Sequence, residues 1–523
     1  MKRPNMLWLT ALILAWFFDF LFWRHSPGIS FAIYVVLCLV GGFTLLGLDG
    51  LRPNWKSLLL LLPILFFAAI SLIRQEPMSL FLAYAFTLFS LGVLAMSYLG
   101  GRWPAYSLSD YIVNFFKLAG SSIARPFTFI GETRRQKAEA GAISGAKRIW
   151  PILRGILIAI PVVAIFAALL SSADMIFAQR LDELIKLFRL EKLPEYIFRA
   201  VYILIGMYLL VGIFLHAAAR SQDEKLIGEG KPLVPAFLGF TEAAIVLGSV
   251  VALFTAFVAI QFRYFFGGQA NIHIDGYTFA EYARRGFGEL VGVAFISLLL
   301  YMGLSAIVKR ESASQRWGFS GLGITMVALV GVMLVSAFQR LLLYEAAYGF
   351  TRLRTYTHVF MIWLGVLLAA VVLLDIVRKE RAFALAALLA ALGFAMTLSL
   401  LNVDGFIVHQ NVARAPQGEG LDVPYLASLS TDAVPALTAE FNDPSLPSLT
   451  RDAIGAALVC RGRVNSSSGD GDWHGFTLSA WWAEQAMQQL QDQLAQYQIT
   501  DKDWPIRVLT PASVYYECYQ SSD

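Results

Sequence analysis

The sequence predicts an all-α fold: a polytopic transmembrane helical bundle of about eleven spans, followed by a small, mostly helical extracytoplasmic C-terminal domain. Three observations predict it. Of the 523 residues, 57% are hydrophobic and 15% are charged, and the mean hydropathy is +0.62, which fits no ordinary soluble protein. Apolar runs of about 18 to 25 residues recur, and such a run crosses a bilayer core of about 30 Å as a helix. The chain after residue 402 has the more polar composition of a soluble domain.

The apolar runs set the order of the predicted elements. The spans are expected at residues 6–23, 28–48, 57–73, 78–98, 149–172, 196–219, 236–262, 287–308, 320–340, 356–377 and 382–402. The first run carries Asp19 and no small-residue cleavage site, so we expect a retained helix rather than a signal peptide. The chain then divides into an N-terminal four-helix membrane segment, a basic cytoplasmic connection with an interfacial helix, a core membrane domain and a soluble domain, at 1–100, 101–148, 149–402 and 403–523.

Charge asymmetry predicts the orientation. Lysine and arginine are more abundant in the segments that are cytoplasmic when the N-terminus is cytoplasmic. An odd number of spans then places the C-terminal domain on the far side of a bacterial inner membrane. In the basic connection, SLSDYIVNFFKLAG (107–120) has the apolar spacing of a helix that lies on anionic lipid. Its charges lack aromatic interleaving, so we expect membrane lipids and no nucleic acid as partners, with an envelope protein as a partner of the C-terminal domain.

A polar and aromatic stretch between two apolar runs, residues 261–290, is the predicted working surface. The candidate ligand-binding residues in this stretch and in the other outer segments are Arg263, Tyr264, His273, Asp275, Glu281, Arg284, Arg285, Arg340, Arg352, Arg354, Asp404 and Asn411. Arginine binds carboxylate and phosphate groups through paired hydrogen bonds, which indicates an anionic ligand. The alternative is structural, because Thr278 and Glu281 have the spacing of a capping box and arginines also anchor helices in the head-group region.

Two further pairs of residues are singled out. Asp19 and Glu242 are ionisable groups inside predicted spans, where charge is costly, and are therefore candidate proton-relay residues. Cys460 and Cys518 lie in the predicted extracytoplasmic domain and are a candidate disulfide.

Several motifs resemble a known family. The segments QFRYFFGG, GYTFAEYARRGFGEL, GFTRLRTY, NVDGFIVHQN and LDVPYLASLSTDAVPAL, between residues 261 and 437, are similar to the bacterial membrane family DUF4173, which is related to DUF4153. The resemblance covers roughly residues 150–440. It implies a polytopic inner-membrane protein and adds no activity, because the family's own function is unassigned.

The leading hypothesis is a non-enzymatic membrane protein that binds or translocates an anionic lipid, glycan or small solute at its outer face. One alternative is a membrane enzyme acting on a lipid-linked substrate, with His273, Asp275 or Glu281 as the base. Another is a sensory or scaffold protein that binds a partner through the C-terminal domain. A metal site from His273, Asp275 and His409 is chemically allowed, but no metal-ligand spacing supports it, so we predict no metal and no cofactor.

Overall fold

The structure of the chain is a computed structural model. The structure describes residues 1, 3–139, 155, 159, 162–163, 165–177, 179–181, 192–222, 225–227, 229, 235–265, 287–415, 420–465, 472–500 and 506–518.

Ten helices within the described residues are long and apolar enough to cross a membrane, and they confirm the polytopic all-α fold. One of the ten is formed by two consecutive helices, α3 and α4. The bounds are α1 Pro4–Phe22, α2 Ile29–Leu48, α3 Trp55–Leu58, α4 Leu61–Ile73, α5 Pro77–Ser97, α7 Leu193–Ala219, α8 Phe240–Phe265, α9 Phe287–Ile307, α10 Ala313–Tyr348, α11 Arg352–Ile376 and α12 Phe383–Leu401. Of the 24 residues of the predicted span at 149–172, 12 lie outside the described residues.

The stretch expected to form an interfacial helix is helical, but the helix is longer: α6, Leu108–Glu139. It packs along α7 and α5. Helix α6 approaches α7 closely at Gly212, where a Cβ atom would lie only 2.4 Å from Cα of Ser122 and so could not be accommodated. Phe115 and Leu118 face the bundle, while Phe116 is exposed. One apolar face of α6 is therefore buried against helices rather than left to lipid alone.

The membrane helices form two groups. In the first group, α1 packs on α2 and α7, α2 on α4, and α4 on α5. In the second, α10 packs on α8, α9 and α11, and α11 packs on α12. The contact of α12 with α5 joins them. Glycines allow neighbouring helices to approach closely. A Cβ atom on Gly323 would overlap the Tyr301 ring at 2.0 Å, and one on Gly393 would overlap the Trp363 ring at the same distance.

The C-terminal region consists of small helices and a three-stranded sheet, and its core is continuous with Val359 on α11 and Leu398 on α12. The helices are α13 Val403–Arg414, α14 Val423–Ser428, α15 Val434–Phe441, α16 Ser448–Asn465, α17 Leu478–Gln489 and α18 Gln491–Leu494. The antiparallel sheet has the order β1-β2-β3, with strands β1 Gln498–Ile499, β2 Arg507–Leu509 and β3 Tyr515–Glu517. A disulfide joins Cys460 on α16 to Cys518 after β3, with their Cα atoms 5.2 Å apart.

This domain is fastened to the ends of the membrane helices. Its helix α17 packs on α4, and the 3₁₀ turn Trp473–Gly475 packs on α2. The side chain of Gln75, after α4, donates to Thr477 Oγ1 at 2.9 Å and accepts from Thr431 Oγ1 at 2.9 Å. The exposed indoles of Trp481 and Trp482 begin α17. Tryptophans in this position are typical of the interfacial belt of a membrane protein. Together with the contacts to α2 and α4, they indicate that the domain sits directly on the end of the bundle.

Candidate functional site

The central part of the predicted working surface lies outside the described residues. Arg263 and Tyr264 belong to the last turn of α8, and their side chains are not described. The other predicted site residues of this stretch that lie outside the described ranges are His273, Asp275, Glu281, Arg284 and Arg285. The base required by the enzyme hypothesis is in that same segment.

Arg352 and Asp404 are brought together in a two-pronged ion pair. Arg352 Nε donates to one carboxylate oxygen at 2.7 Å and its terminal nitrogen to the other at 2.6 Å. The Asp404 side chain is fully buried and also accepts from the backbone N–H of Ser430 at 2.6 Å. The backbone N–H of Arg352 donates to the hydroxyl of Tyr425 at 2.8 Å. These contacts fasten the start of α11 to the C-terminal domain.

Arg354 and Asn411 hold the turn between α10 and α11. Arg354 donates to the carbonyl of Gly349 and lies over the ring of Tyr344, 4.2 Å from its centroid. Both ends of the Asn411 amide bond the backbone of Phe350, at 2.7 and 3.0 Å. Gly349 has φ +78°, which an L side chain rarely adopts, and a Cβ there would lie 2.9 Å from Asn411 Oδ1. Arg354 and Asn411 therefore have a structural use here.

Arg340, the remaining predicted binding residue, lies nine residues before Gly349, on the helix that leads into this turn. It is on α10 and its side chain is partly buried.

The two predicted proton-relay acids lie near helix ends. Asp19 is buried, and Arg199 Nε on α7 donates to its two oxygens at 2.9 and 3.2 Å, with Tyr202 as a further donor. Glu242 accepts from the backbone N–H of Gly239 at 2.7 Å in the first turn of α8. Asp19 thus links α1 to α7, and Glu242 caps a helix.

Sequence reasoning missed a second buried acid network beside Arg352. Glu76 caps α5 by accepting from the backbone N–H groups of Met78 and Ser79 at 2.9 and 2.7 Å, and it also accepts from the hydroxyl of Tyr356. Asp432 in turn accepts from the backbone N–H groups of Gln75 and Glu76 at 2.9 and 2.8 Å. The sequence held one local signal for the role of Glu76, because an acidic residue directly before a proline at the start of a span is typical of a helix N-terminus.

Asp432 gives a pH-dependent prediction. Burial raises the pKa of Asp432 above its usual value. The folded protein therefore binds this proton more tightly than the unfolded chain, and the contribution of Asp432 to stability falls as the pH rises from below 3.8 through the folded pKa. We expect Asp432→Asn to raise the stability at pH 7 and to change it little near pH 3.5, measured as the midpoint of thermal unfolding in detergent.

The matched variant for this prediction is Asp432→Ala. It leaves two buried N–H groups without an acceptor and should lower the stability by about 2 kcal/mol near pH 3.5, and by less at pH 7, where the wild-type carboxyl contributes less stability. If Asp432→Asn and Asp432→Ala destabilised the protein equally at pH 7, the prediction would be wrong, because the folded protein would then favour the ionised carboxylate of Asp432.

An apolar cavity lies between α2, α5, α6 and α7. Its volume is about 410 Å³, within the range of about 300–1,000 Å³ typical of ligand sites. The wall residues come from all four helices and are predominantly apolar: Tyr34, Cys38, Leu39, Gly42, Phe43, Leu46, Leu88, Leu91, Gly92, Leu94, Ala95, Tyr98, Phe115, Leu118, Leu210, Ile213, Phe214 and Ala217. The absence of side chains at Gly42 and Gly92 brings the rings of Phe214 and Phe115 against the helix backbones.

Basic residues lie close in sequence to the α6 and α7 residues that line this cavity. Leu118 and Ala217 line the cavity, and their chain neighbours are Lys117 and His216. His216 is buried and lies 2.9 Å from the Ser121 hydroxyl through Nδ1. Three cations lie near enough to His216 to act on it electrostatically: Lys117, Arg125 and Arg220.

A more polar cavity of about 330 Å³ lies on the neighbouring part of α6 and α7. Its walls include Met1, Arg125, Thr128, Glu132 and Thr133. On the α7 side, Leu215 and Ala218 line it together with Ala219, and the first two are each one position from a residue that lines the apolar cavity. The apolar cavity and the polar cavity therefore share helices α6 and α7, and the polar cavity carries one cation, Arg125, and one anion, Glu132.

Comparison with known proteins gives one finding. The family described as "Domain of unknown function (DUF4153)" matches residues 61–440, more than half of the chain. The match begins at α4, well before the motifs on which the sequence resemblance rests, and is to DUF4153 rather than DUF4173. No curated protein and no solved structure matches the chain.

Proposed function

We propose that this chain, which belongs to the DUF4153 family, is an integral membrane protein that binds an anionic membrane lipid in the apolar cavity between α2, α5, α6 and α7. The observation that carries the proposal is an apolar cavity of about 410 Å³ next to cations that act on His216, whose chain neighbour Ala217 lines the cavity. The ligand class is the one expected from the sequence, but the proposed site is elsewhere.

The cavity walls favour an acyl chain. Eighteen residues line the space, and the polar groups among them are two tyrosine hydroxyls and the thiol of Cys38. An apolar cavity of this kind offers water too few hydrogen-bond partners. In a bilayer, the abundant molecule with a long apolar chain is the lipid itself.

The cations favour a negatively charged head group. Lys117 and Arg220 are exposed, and Arg125 borders the polar cavity. Each basic side chain near a membrane surface gains about 1 kcal/mol from anionic lipid. The same residues also count toward the positive-inside asymmetry, so a measured head-group preference is needed to separate the two roles.

Lipid retention tests the acyl-chain site. Ala95→Phe fills the cavity, and Ala85→Phe places the same ring on an exposed face of the same helix. The full-length protein would be purified in detergent with phosphatidylglycerol and examined by native mass spectrometry. We expect wild type and Ala85→Phe to retain one more lipid than Ala95→Phe.

A second filling variant, Cys38→Phe, approaches from the opposite wall on α2 and should lose the same lipid. Gel filtration establishes that each variant is folded. Full retention by both folded cavity variants would contradict the proposal.

The head-group preference is tested separately. In Lys117→Gln/Arg125→Gln, the preference for phosphatidylglycerol over phosphatidylethanolamine should fall by about fivefold for each cation removed, the equivalent of about 1 kcal/mol. Lys56→Gln removes a cation at the start of α3, outside the cavity wall, and should leave the preference unchanged. An unchanged preference in the double variant would mean that these cations only set the orientation of the protein in the membrane and do not bind a lipid head group.

We further propose that the protein lies in a bacterial inner membrane with its N-terminus cytoplasmic and its C-terminal domain outside. The lysine and arginine asymmetry supports this orientation. The disulfide between Cys460 and Cys518 also supports it, because such bonds persist in oxidising compartments. The lipid cavity then belongs to the cytoplasmic half of the bundle, where its cations face the more anionic leaflet.

A further inference from the structure

A separate cluster of metal-ligating side chains lies where the C-terminal domain meets the turn between α1 and α2. It consists of His25, Asp472 and His474. Nδ1 of each histidine is hydrogen-bonded to a different oxygen of the Asp472 carboxylate. The side chain of His474 is buried, whereas those of His25 and Asp472 are about 30% exposed. The three groups therefore converge on one small space with access to solvent.

Backbone contacts hold the two segments together. The N–H of Ile29 donates to the carbonyl of Phe476 at 2.9 Å, and the hydroxyl of Ser30 donates to the carbonyl of His474 at 2.9 Å. A Cβ on Gly28 would lie 2.7 Å from the carbonyl carbon of Gly475, so only glycine permits this approach. The site is thus built by the fold rather than by a chance meeting of mobile side chains.

The donor set of the cluster suits a cation. Nε2 of His474 is buried and makes no hydrogen bond within the described residues. Two imidazoles and one carboxylate are ligands that zinc prefers, and three protein ligands leave a fourth position open.

We propose that His25, Asp472 and His474 form a three-ligand site for Zn²⁺ that links the α1–α2 turn to the C-terminal domain. The available ligand atoms lie within 4.8 Å of one another. Zinc lies about 2.0–2.2 Å from each nitrogen or oxygen ligand, so small side-chain movements suffice to surround it.

One such movement can be specified. The two imidazole rings are stacked, with centroids 3.8 Å apart and planes 9° from parallel. An ion must lie in the plane of each ring that ligates it, so one ring must turn on binding. The ring that turns is His25, which is the more exposed and belongs to a short turn, while His474 stays fixed by its burial.

Metal analysis of the full-length protein tests the site. After dialysis against a chelator and addition of zinc, the wild type should retain one Zn²⁺ per chain by inductively coupled plasma mass spectrometry. His25→Gln and His474→Gln should each retain none. The matched control is His409→Gln, because His409 is an exposed histidine of the same domain that is paired with Glu440 at 2.6 Å, and it should retain zinc as the wild type does.

A thermal readout separates a metal site from a purely structural hydrogen-bonded bridge. Zinc should raise the midpoint of thermal unfolding of wild type and of His409→Gln, and should leave that of His25→Gln unchanged. His25 is partly exposed, so its glutamine variant is expected to fold, which gel filtration verifies. Absence of stoichiometric zinc in wild type, or its retention in folded His25→Gln, would overturn the proposal.

Discussion

Replacement of Arg352 by alanine is expected to lower the free energy of unfolding by about 3–5 kcal/mol, the typical cost of removing one partner from a buried ion pair. The carboxylate of Asp404 is fully buried and would be left without its counter-ion. The loss acts where α11 joins the C-terminal domain, because Asp404 also accepts from the backbone N–H of Ser430 at 2.6 Å. Chemical unfolding in mixed micelles measures the change.

The chain offers a matched control for this substitution. Arg507 pairs with Glu517 at 3.1 Å, but both side chains are about 45% exposed. Exposed pairs contribute about 0–1 kcal/mol, so Arg507→Ala should have a small effect. Similar losses in the two alanine variants would mean that Arg352 and Asp404 are not held as a desolvated pair.

Removal of the disulfide is the second large effect. Cys460 and Cys518 are 58 residues apart, and closing a loop of that length stabilises the folded state by about 4 kcal/mol in the chain-entropy model. We expect Cys460→Ser/Cys518→Ser to lose about that much stability, with the loss confined to the C-terminal domain. Limited proteolysis should show that domain opening before the membrane helices.

Two measurements control the disulfide prediction. A reducing agent should bring wild type to the stability of the double serine variant and should leave the variant unchanged. Cys38, a free cysteine on α2, should have no part in the effect, so Cys38→Ser should respond to reduction as wild type does. Free thiols at both Cys460 and Cys518 in intact cells would contradict the extracytoplasmic location.

The sequence predicted the membrane helices because one property, apolar length, decides them. Bilayer thickness requires such runs, and the helices Pro77–Ser97 and Phe383–Leu401 begin and end within one or two residues of the predicted 78–98 and 382–402. Local turn chemistry was less well predicted. Within the mostly helical C-terminal region, the stretch from Tyr425 to Phe441 is divided, because the Ser430 side chain caps a new turn by accepting from Asp432 N–H and Pro435 lies in the first turn of the next helix.

The contacts between distant segments could not be predicted in this way. Tyr356 and Glu76 are 280 residues apart, and His25 and Asp472 are 447 apart. No spacing rule relates such residues, since only the packing of the bundle brings them together. The sheet was missed because its strands have two or three residues each, too short to show alternation. The cavity was missed for the same reason as the distant pairs: four helices build it.

The most direct test of the lipid-binding account is an electron cryo-microscopy reconstruction of the full-length protein in nanodiscs of phosphatidylglycerol. The account predicts an elongated density between Gly42 on α2 and Gly92 on α5, ending in a head group beside Lys117. An empty space there, or helices α2, α5, α6 and α7 packed together with the space closed, would contradict it.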